Sequence, residues 1–229
     1  MTSPLRVPAL IVIGGGDVGS GYVRQLLRAV RAGRLDTGRV IVVDRDPACA
    51  ARAFAEPLVR FDVADWSSWL DAHLASASPE DHLVPYHWAP HLLLDWLARA
   101  TGGRVDRSTA WPSRGTPYEG PTGAGDRALS YATWPCPPTC IEPALCPHTR
   151  GPRDWSLAAD LSAAAPGERF DGRVVFRCLH LVYGVGTIPV REMLEARDRL
   201  LADAGTPRTY LVSTASHCHG LATPLSVGP

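Results

Sequence analysis

The chain has 229 residues, and its 23 basic and 23 acidic side chains give a formal net charge of zero, which argues against a nucleic acid or an anionic membrane held by bulk charge. It contains no lysine and no asparagine, which excludes Schiff-base chemistry, a lysine general base and the lysine-containing phosphate loop of nucleotide hydrolases. Because no apolar run has the length of a membrane span and the N-terminus does not resemble a signal peptide, we expect a cytoplasmic protein with reduced cysteines.

The first predicted element is a buried strand over about 9–14 that leads into a glycine-rich turn. Gly14, Gly16 and Gly19 form a G-x-G-x-x-G pattern, and an amphipathic helix is predicted over about 20–31. A strand, this turn and a helix in succession are typical of a dinucleotide-binding βαβ unit. We predict that a pyrophosphate binds at the helix N-terminus, at Gly14, Gly16, Asp17, Val18 and Gly19. A glycine-rich turn without a ligand is the alternative.

Acidic residues follow the next two predicted strands, at 39–44 and 58–62. Asp44 ends the first of them, where a carboxylate binds the ribose hydroxyls of NAD. Arg45 comes next and is suited to the 2′-phosphate of NADP, so the predicted cofactor is NAD or, alternatively, NADP. Asp44 as an ordinary turn residue is a second interpretation. The second of these strands ends with Asp62 and Val63.

Asp62 and Val63 resemble the Asp-Val pair by which many NAD(P)-dependent Rossmann enzymes hold adenine. Over roughly residues 7–100 the chain resembles the NAD(P)-binding Rossmann-fold superfamily. Residues 11–18 are also similar to the opening of the precorrin-2 dehydrogenases of sirohaem synthesis and of potassium-uptake regulatory domains. The resemblance implies a nucleotide site, but it implies no particular activity, because the dehydrogenase's fourth-strand region and dimerisation tail have no counterpart in this sequence.

The remaining regular elements complete a predicted α/β fold. Further strands are expected at 82–86, 173–182 and 209–215, and further helices at 66–76, 90–100 and 188–204. Six apolar strands with crossovers predict a doubly wound, mostly parallel, six-stranded Rossmann-like sheet with an irregular insertion rich in Cys and Pro. We expect a single domain with a dinucleotide-binding half at 1–101, the insertion at 102–153 and a second αβ half at 154–229. The short second half leaves room for a homodimer.

Three candidate catalytic side chains lie on or at the end of predicted strands, at the edge where open α/β sheets bind ligands. Tyr86 and His87 end the fourth strand, which commonly faces the nicotinamide, and His180 belongs to the fifth. Period-two alternation places His180 on the same face as Cys178. We predict that one of the three transfers a proton to or from a small-molecule substrate. A purely structural role for each histidine is the alternative.

The insertion contains the least ordinary part of the sequence. Cys136, Cys140 and Cys146, followed by His148, lie in a proline-rich loop and predict a tetrahedral zinc site. The three cysteines with a further thiol would instead hold a [4Fe-4S] cluster. The pattern is also compatible with redox-active thiols and with simple loop cysteines. Additional ligands are predicted among residues nearer the C-terminus: Cys178, His217, Cys218 and His219.

Together these features predict an NAD(P)-binding protein that acts as an oxidoreductase, with its substrate between the strand-end histidines and the cysteine loop. The chain has no Tyr-x-x-x-Lys or Ser-Tyr-Lys set, so catalysis itself is left open. The alternative is a non-enzymatic, nucleotide-binding sensor of redox or metal status that responds to a small-molecule effector, or a carrier of metal clusters.

Overall fold

A computed structural model describes residues 3–85, 91–203 and 205–229 of the chain. Within those residues the strands are β1 (Leu5–Arg6), β2 (Ala9–Ile13), β3 (Leu35–Asp36), β4 (Arg39–Asp44), β5 (Val59–Val63), β6 (His82–Val84), β7 (Arg104–Val105), β8 (Tyr118–Pro121), β9 (Arg127–Ser130), β10 (Gly172–Arg177), β11 (Leu179–His180), β12 (Gly186–Pro189), β13 (Arg208–Ala215) and β14 (His219–Val227). The α-helices are α1 (Asp17–Arg31), α2 (Trp66–His73), α3 (Leu92–Thr101), α4 (Leu157–Ser162) and α5 (Val190–Asp203). Two short 3-10 helices cover Ala50–Phe54 and Leu74–Ser76.

The chain divides into two compact units. The first unit comprises residues 1–87 and 179–192, and the second comprises 88–178 and 193–229. The chain therefore leaves the first unit, builds most of the second, returns to the first for β11 and β12, and finishes in the second. No helix in the described parts of either unit combines the length and the apolar character needed to cross a membrane.

The first unit is built on a mixed six-stranded sheet in the order β11-β12-β6-β2-β4-β5. β6, β2, β4 and β5 run parallel to one another, whereas β12 is antiparallel to β6 and β11 is antiparallel to β12. All five residues of β2 are buried, as expected for a strand covered on both faces. The apolar face of α1, with Val23, Leu26 and Leu27, packs into the core beside this sheet.

The second unit has its own sheet, in the order β10-β13-β14-β9-β8, with β7 also paired to β14. Only β10 and β13 are a parallel pair among the described strands of this sheet. Leu157 and Leu161 of α4 pack against Leu129 and Leu211 of the sheet. Ser156 begins α4, because its side chain accepts a hydrogen bond from the N–H of Ala159.

The prediction of a doubly wound, mostly parallel, six-stranded Rossmann-like sheet is wrong. The predicted strand at 173–182 breaks at Cys178: β10 pairs with β13 in the second unit, and β11 pairs antiparallel with β12 in the first. The predicted sixth strand corresponds to β13, which belongs to the second unit's sheet. An apolar run marks a buried strand, but it carries no information about the strand's partner, which long-range contacts decide.

The predicted irregular insertion at 102–153 is also partly regular. β8 and β9 form a hairpin whose inner strand, β9, pairs antiparallel with β14. These strands have four residues each and contain glycine, proline and charged side chains, so they lack the apolar alternation by which strands are recognised. Their pairing with the nine-residue β14 supplies the order that the local sequence does not indicate.

Candidate functional site

The glycine turn joins β2 to α1, as predicted. Gly14 has a φ of 87°, which favours glycine, and its N–H donates to the Val43 carbonyl at 2.9 Å. A Cβ at Gly19 would lie 1.7 Å from the Gly14 carbonyl oxygen, so the backbones of helix and turn leave no room for a side chain at this position. A Cβ at Gly16 would meet no atom within 4 Å among the described residues, and Gly16 is exposed. Gly14 and Gly19 are therefore required by the conformation and packing of the turn, whereas Gly16 leaves open space beside the helix.

The other turn residues are distributed around the N-terminus of α1. Asp17 is the exposed first residue of the helix, and its carbonyl accepts a hydrogen bond from the Ser20 hydroxyl at 2.8 Å. Val18 is half-buried. The N-cap is Gly16, which has no side chain to accept from the first N–H groups of the helix. Uncapped N–H groups at a helix N-terminus are suited to binding anions.

The carboxylate of Asp44 is hydrogen-bonded to the glycine turn. It accepts hydrogen bonds from the N–H of Gly15 at 2.6 Å and from the N–H of Asp46 at 2.9 Å. Asp44 also pairs in register with Val63, at the ends of the neighbouring strands β4 and β5. The structure therefore brings the predicted ribose ligand and one predicted adenine contact to the same edge as the turn.

The side chains of Asp62, Val63 and Arg45 differ in how accessible they are to a bound nucleotide. Asp62 pairs with Arg60 at 2.7 Å and accepts from the Trp69 indole at 2.9 Å, so its carboxylate is engaged within the unit. Val63 is 54% exposed, which is unusual for a valine on a strand and leaves an apolar surface beside Asp44. Arg45 is exposed. The pKa of Asp65 is lowered mainly by a hydrogen bond from the Ser68 N–H, and the positive charge of Arg45 lowers it further.

Of the three candidate catalytic residues, Tyr86 and His87 lie outside the described residues. His180 is half-buried in β11, where it pairs with Gly186 of β12. Three strand spacings separate β11 from β2 in the sheet, or about 14 Å at the usual interval. The expectation that His180 shares one face of a strand with Cys178 is wrong, because the strand breaks at Cys178 and its two halves enter different sheets.

The second unit gathers most of the predicted metal ligands around one small cavity of about 10 Å³. Cys136, Cys140 and Cys146 of the loop line it, and Cys218, from the turn between β13 and β14, completes its wall together with His148. The His148 ring is stacked on Trp134, with centroids 4.8 Å apart and planes 7° apart. Four of the six cysteines thus face the same space.

Backbone and indole N–H groups donate to three of these four sulfur atoms. The N–H of Glu142 donates to Cys140 Sγ at 3.3 Å, and the Trp155 indole donates to Cys218 Sγ at 3.4 Å. Cys146 Sγ accepts from the backbone of Thr149 and of His148, and the Thr149 bond is the main reason that the pKa of Cys146 is lowered. N–H donors stabilise the thiolate, which is the form of cysteine that binds metals.

Burial has the opposite effect on the other sulfur atoms. It raises the pKa of the Cys136 thiol, and the neighbouring sulfurs of Cys140 and Cys146 raise it further. Burial raises the pKa of Cys218 to about 12. It raises the pKa of Cys178 to about 12 as well, with Glu142 adding to the effect. Cys178 does not line the cavity.

Glu142 connects the cysteine loop to the turn that carries Cys218. Its buried carboxylate accepts hydrogen bonds from the Ser216 hydroxyl at 2.6 Å, from the His217 N–H at 3.0 Å and from the Cys218 N–H at 3.1 Å. Glu142 has a φ of 50°, in the left-handed region, so its backbone bends sharply while its side chain reaches the turn. Arg153 holds the same segment from the other side by donating to the Glu142 and Pro143 carbonyls.

His217 and His219 flank Cys218 in the sequence and make different contacts. His217 Nε2 lies 3.3 Å from the Arg177 guanidinium. His219 Nε2 lies 3.8 Å from Cys136 Sγ, and its Nδ1 lies 2.8 Å from Ser130 Oγ. The Ser130 hydroxyl donates to the Ala132 carbonyl at 2.7 Å, so its oxygen is suited to accept from the Nδ1–H of His219.

The described side chains around the cavity are not preorganised as a metal site. In the parts of the chain that are described, no three His, Cys, Asp or Glu side chains are already arranged to hold a metal ion. All six cysteines lie in those parts, and none of them forms a disulfide. The sulfur atoms that line the cavity therefore surround a common space without converging on one point.

A larger cavity of about 470 Å³ lies elsewhere in the second unit. Its charged side chains are already paired with one another: Arg107 bridges Asp95 and Asp126, and the Arg127 guanidinium lies 3.6 Å over the Trp111 ring. No residue that the sequence singled out as a site lines this cavity. Its internal pairing favours a structural role for these charges.

The family comparison concerns the part of the chain that holds the cysteine cavity. Residues 91–228, more than half of the chain, match the family AF_1314_C, described as "Uncharacterized protein, C-terminal domain". The chain belongs to the AF_1314_C family. The AF_1314_C match contains the whole cysteine loop and the turn with Cys218, but it does not include the glycine turn of the first unit. No curated protein matches the chain.

Sequence reasoning missed the residues that support both candidate sites. Cys49 was not singled out, yet a Cβ at Gly15 would lie 2.4 Å from its sulfur atom, so Cys49 and Gly15 constrain each other. Glu142 was missed as well, although it lies two residues after Cys140. A lone carboxylate in a proline-rich loop carries no spacing signal, and only the folded structure reveals its three donors.

Proposed function

We propose that the chain is an NAD(P)-binding protein that acts as an oxidoreductase, and that the dinucleotide binds at the glycine turn of the first unit. One observation carries this proposal: Gly19 and Gly14 fix a close turn at the end of β2 while Gly16 leaves open space at the N-terminus of α1. These are the separate roles that the glycines of a dinucleotide-binding turn fulfil.

The strand order of the first unit supports the same proposal. β5, β4, β2 and β6 are adjacent and parallel in that order, which matches the first four strands of the 3-2-1-4-5-6 order of dinucleotide-binding sheets. It also supports the resemblance of residues 7–100 to the NAD(P)-binding Rossmann-fold superfamily, which is part of this proposal. β11 and β12 continue the sheet antiparallel, so the support comes from these four strands alone.

We assign the cofactor contacts from the end of each strand. The pyrophosphate would bind the first N–H groups of α1, the ribose would bind Asp44, and the adenine would rest on the exposed face of Val63. NAD is favoured over NADP because the Asp44 carboxylate, held by the Gly15 N–H, would repel a 2′-phosphate. Arg45 is the side chain through which NADP would bind if that assignment is wrong.

The oxidoreductase part of the proposal rests on the chemistry that a bound nicotinamide supplies, which is hydride transfer. Tyr86 or His87 would exchange the proton with a small-molecule substrate, because both follow β6, the strand next to β2. His180 is a weaker candidate, since it lies three strands from the turn. We also propose a cytoplasmic location, which is supported by the six cysteines without a disulfide.

Titration with NADH and NADPH, followed by nicotinamide fluorescence, tests the nucleotide site directly. Gly16→Val should weaken binding by about tenfold or more, equivalent to about 1.4 kcal/mol, because its side chain would occupy the space left for the pyrophosphate. The variant should fold normally, since the space around Gly16 is open. Gly21→Ala is the matched control, because Gly21 lies in the same helix and its Cβ is equally unobstructed.

Two results would contradict the proposal: no binding of either nucleotide by the folded chain, or equal binding by the wild type and Gly16→Val. If the chain binds NADPH more tightly than NADH, the assignment of Asp44 to the ribose of NAD is wrong, and Arg45 binds the 2′-phosphate of NADP instead. Loss of NADPH affinity in Arg45→Gln, with NADH affinity retained, would then be the direct check.

A non-enzymatic sensor of redox or metal status, or a carrier of metal clusters, is the second candidate function. The cavity lined by Cys136, Cys140, Cys146 and Cys218 favours it, because such a group of thiols responds to metals and oxidants. Nucleotide binding without oxidation of NADH in the presence of candidate small carbonyl substrates would favour the sensor. Turnover that Gly16→Val abolishes would favour the enzyme.

A further inference from the structure

We infer that the second unit binds a single zinc ion through the four thiolates of Cys136, Cys140, Cys146 and Cys218. The inference does not rest on nucleotide binding, which concerns the other unit. It departs from the sequence-based ligand set by replacing His148 with Cys218, and it selects a single ion over an iron–sulfur cluster. Glu142 is proposed as the positioning residue that brings Cys218 into the set.

The first argument is the common space. Three cysteines of the loop and one from a distant turn line the same cavity, although Cys146 and Cys218 are 72 positions apart in the sequence. Sulfur atoms gathered from separate segments suit a soft cation, and four of them satisfy the tetrahedral preference of zinc. The loop prolines restrict the unfolded chain and so lower the entropic cost of holding these side chains together.

The second argument is the hydrogen bonding of the sulfur atoms. Cys140 accepts from the N–H of the residue two positions on, and Cys146 accepts from the N–H groups two and three positions on. Cys218 accepts from the Trp155 indole. Donors of this kind orient metal-bound thiolates and offset part of their negative charge.

The third argument is size. A cavity of about 10 Å³ holds roughly one water-sized sphere. A space of this size favours a single zinc ion over a cluster of four iron and four sulfur atoms. No three ligands among the described residues already stand in a metal-binding arrangement, so we expect zinc itself to draw the sulfurs together, as metals commonly complete their sites on binding.

The fourth argument is the support of Cys218. Glu142 accepts from the Cys218 N–H and from the two residues before it, which fixes the turn against the cysteine loop. By contrast, the His148 ring is stacked on Trp134 at the exposed rim. With four protein ligands the zinc would have no open coordination position, so its role would be structural.

Elemental analysis and cobalt substitution of the full-length chain test the inference. We expect about one zinc per chain, and Co²⁺ in place of zinc should produce sulfur-to-cobalt charge-transfer absorption. Cys218→Ser should lower both the stoichiometry and that absorption, while His148→Ala should keep them. Cys178→Ser is the matched control, because Cys178 is a buried thiol of the same unit outside the cavity.

A second measurement uses the wild-type chain alone, in case a cysteine variant fails to fold. The thiols that react with a disulfide reagent are counted with zinc present and after its removal by a chelator, and zinc should protect four more of the six. Protection of no additional thiol, no cobalt–thiolate absorption, or retention of zinc by Cys218→Ser with loss in His148→Ala would each overturn the inference. Brown protein containing iron and sulfide would overturn it in favour of a cluster.

Discussion

Replacing Gly19 with alanine tests how closely the glycine turn and α1 are packed. The new Cβ would lie 1.7 Å from the Gly14 carbonyl oxygen and 2.8 Å from its carbon. Both are backbone atoms, so no side-chain rotation relieves the overlap, and helix and turn must separate by roughly 1.5 Å or more to reach ordinary contact. Overpacking of this kind costs about 1–3 kcal/mol and sometimes more. We expect the upper end, about 3 kcal/mol.

Gly21→Ala is the control, and it should change stability in the opposite direction. Gly21 also lies within α1, and a Cβ there would meet no atom within 4 Å among the described residues. Alanine in place of glycine inside a helix stabilises it by about 0.5–1 kcal/mol. The two variants share one chemical change in one helix, so only the contact with the turn distinguishes them.

Urea and thermal unfolding measure both effects, with circular dichroism and tryptophan fluorescence as signals. For a chain of this size 1 kcal/mol shifts the melting temperature by about 2–4 °C, so Gly19→Ala should melt about 6–12 °C below the wild type and Gly21→Ala slightly above it. Wild-type stability in Gly19→Ala would refute the packing described at the turn. Equal destabilisation by both variants would show that α1 tolerates no added methyl group and that the contact is not the cause.

Three further predictions concern stability. Burial lowers the pKa of His91 to about 4, below its unfolded value of about 6.5. The folded state therefore keeps its full stability from this group above pH 6.5 and loses stability progressively as the pH falls below that value; urea midpoints across that range should fall less steeply for His91→Gln. Asp65 accepts from the Ser68 N–H at 3.1 Å as the N-cap of α2, so Asp65→Ala should lower the free energy of unfolding by about 1 kcal/mol and Asp65→Asn by much less. Glu142→Gln keeps the shape of a buried acceptor but loses its charge, and should cost about 1–3 kcal/mol; a urea midpoint equal to that of the wild type would contradict the hydrogen bonds described for Glu142.

The succession of β2, the glycine turn and α1 could be predicted because its signals are local. The residues Ala9–Ile13 are continuously apolar, and the glycines that follow allow only a tight turn before α1. The sheet of the second unit could not be predicted in this way. β10 and β11 are separated by Cys178 alone, and no local pattern indicates that a strand should change sheets at that residue.

The cysteine cavity was partly predictable for a related reason. Cys136, Cys140 and Cys146 are close in sequence, so their spacing indicated a shared site. Cys218 was noted only as an additional ligand, because its place beside the loop depends on Glu142, whose carboxylate accepts from three consecutive residues of the turn. Such a bridge is a tertiary contact, and no spacing rule identifies it.

The two proposals divide the chemistry of the chain between its units. Zinc held by four thiolates has no position left for a substrate, so the part of the chain that matches AF_1314_C would gain stability from the metal and no reactivity. On these two proposals, redox turnover would come from a dinucleotide at the glycine turn, outside the matched residues. Removing zinc with a chelator should therefore lower the unfolding midpoint of the second unit while NADH titrations of the still-folded chain keep their affinity. A parallel loss of NADH affinity would show that this division is wrong.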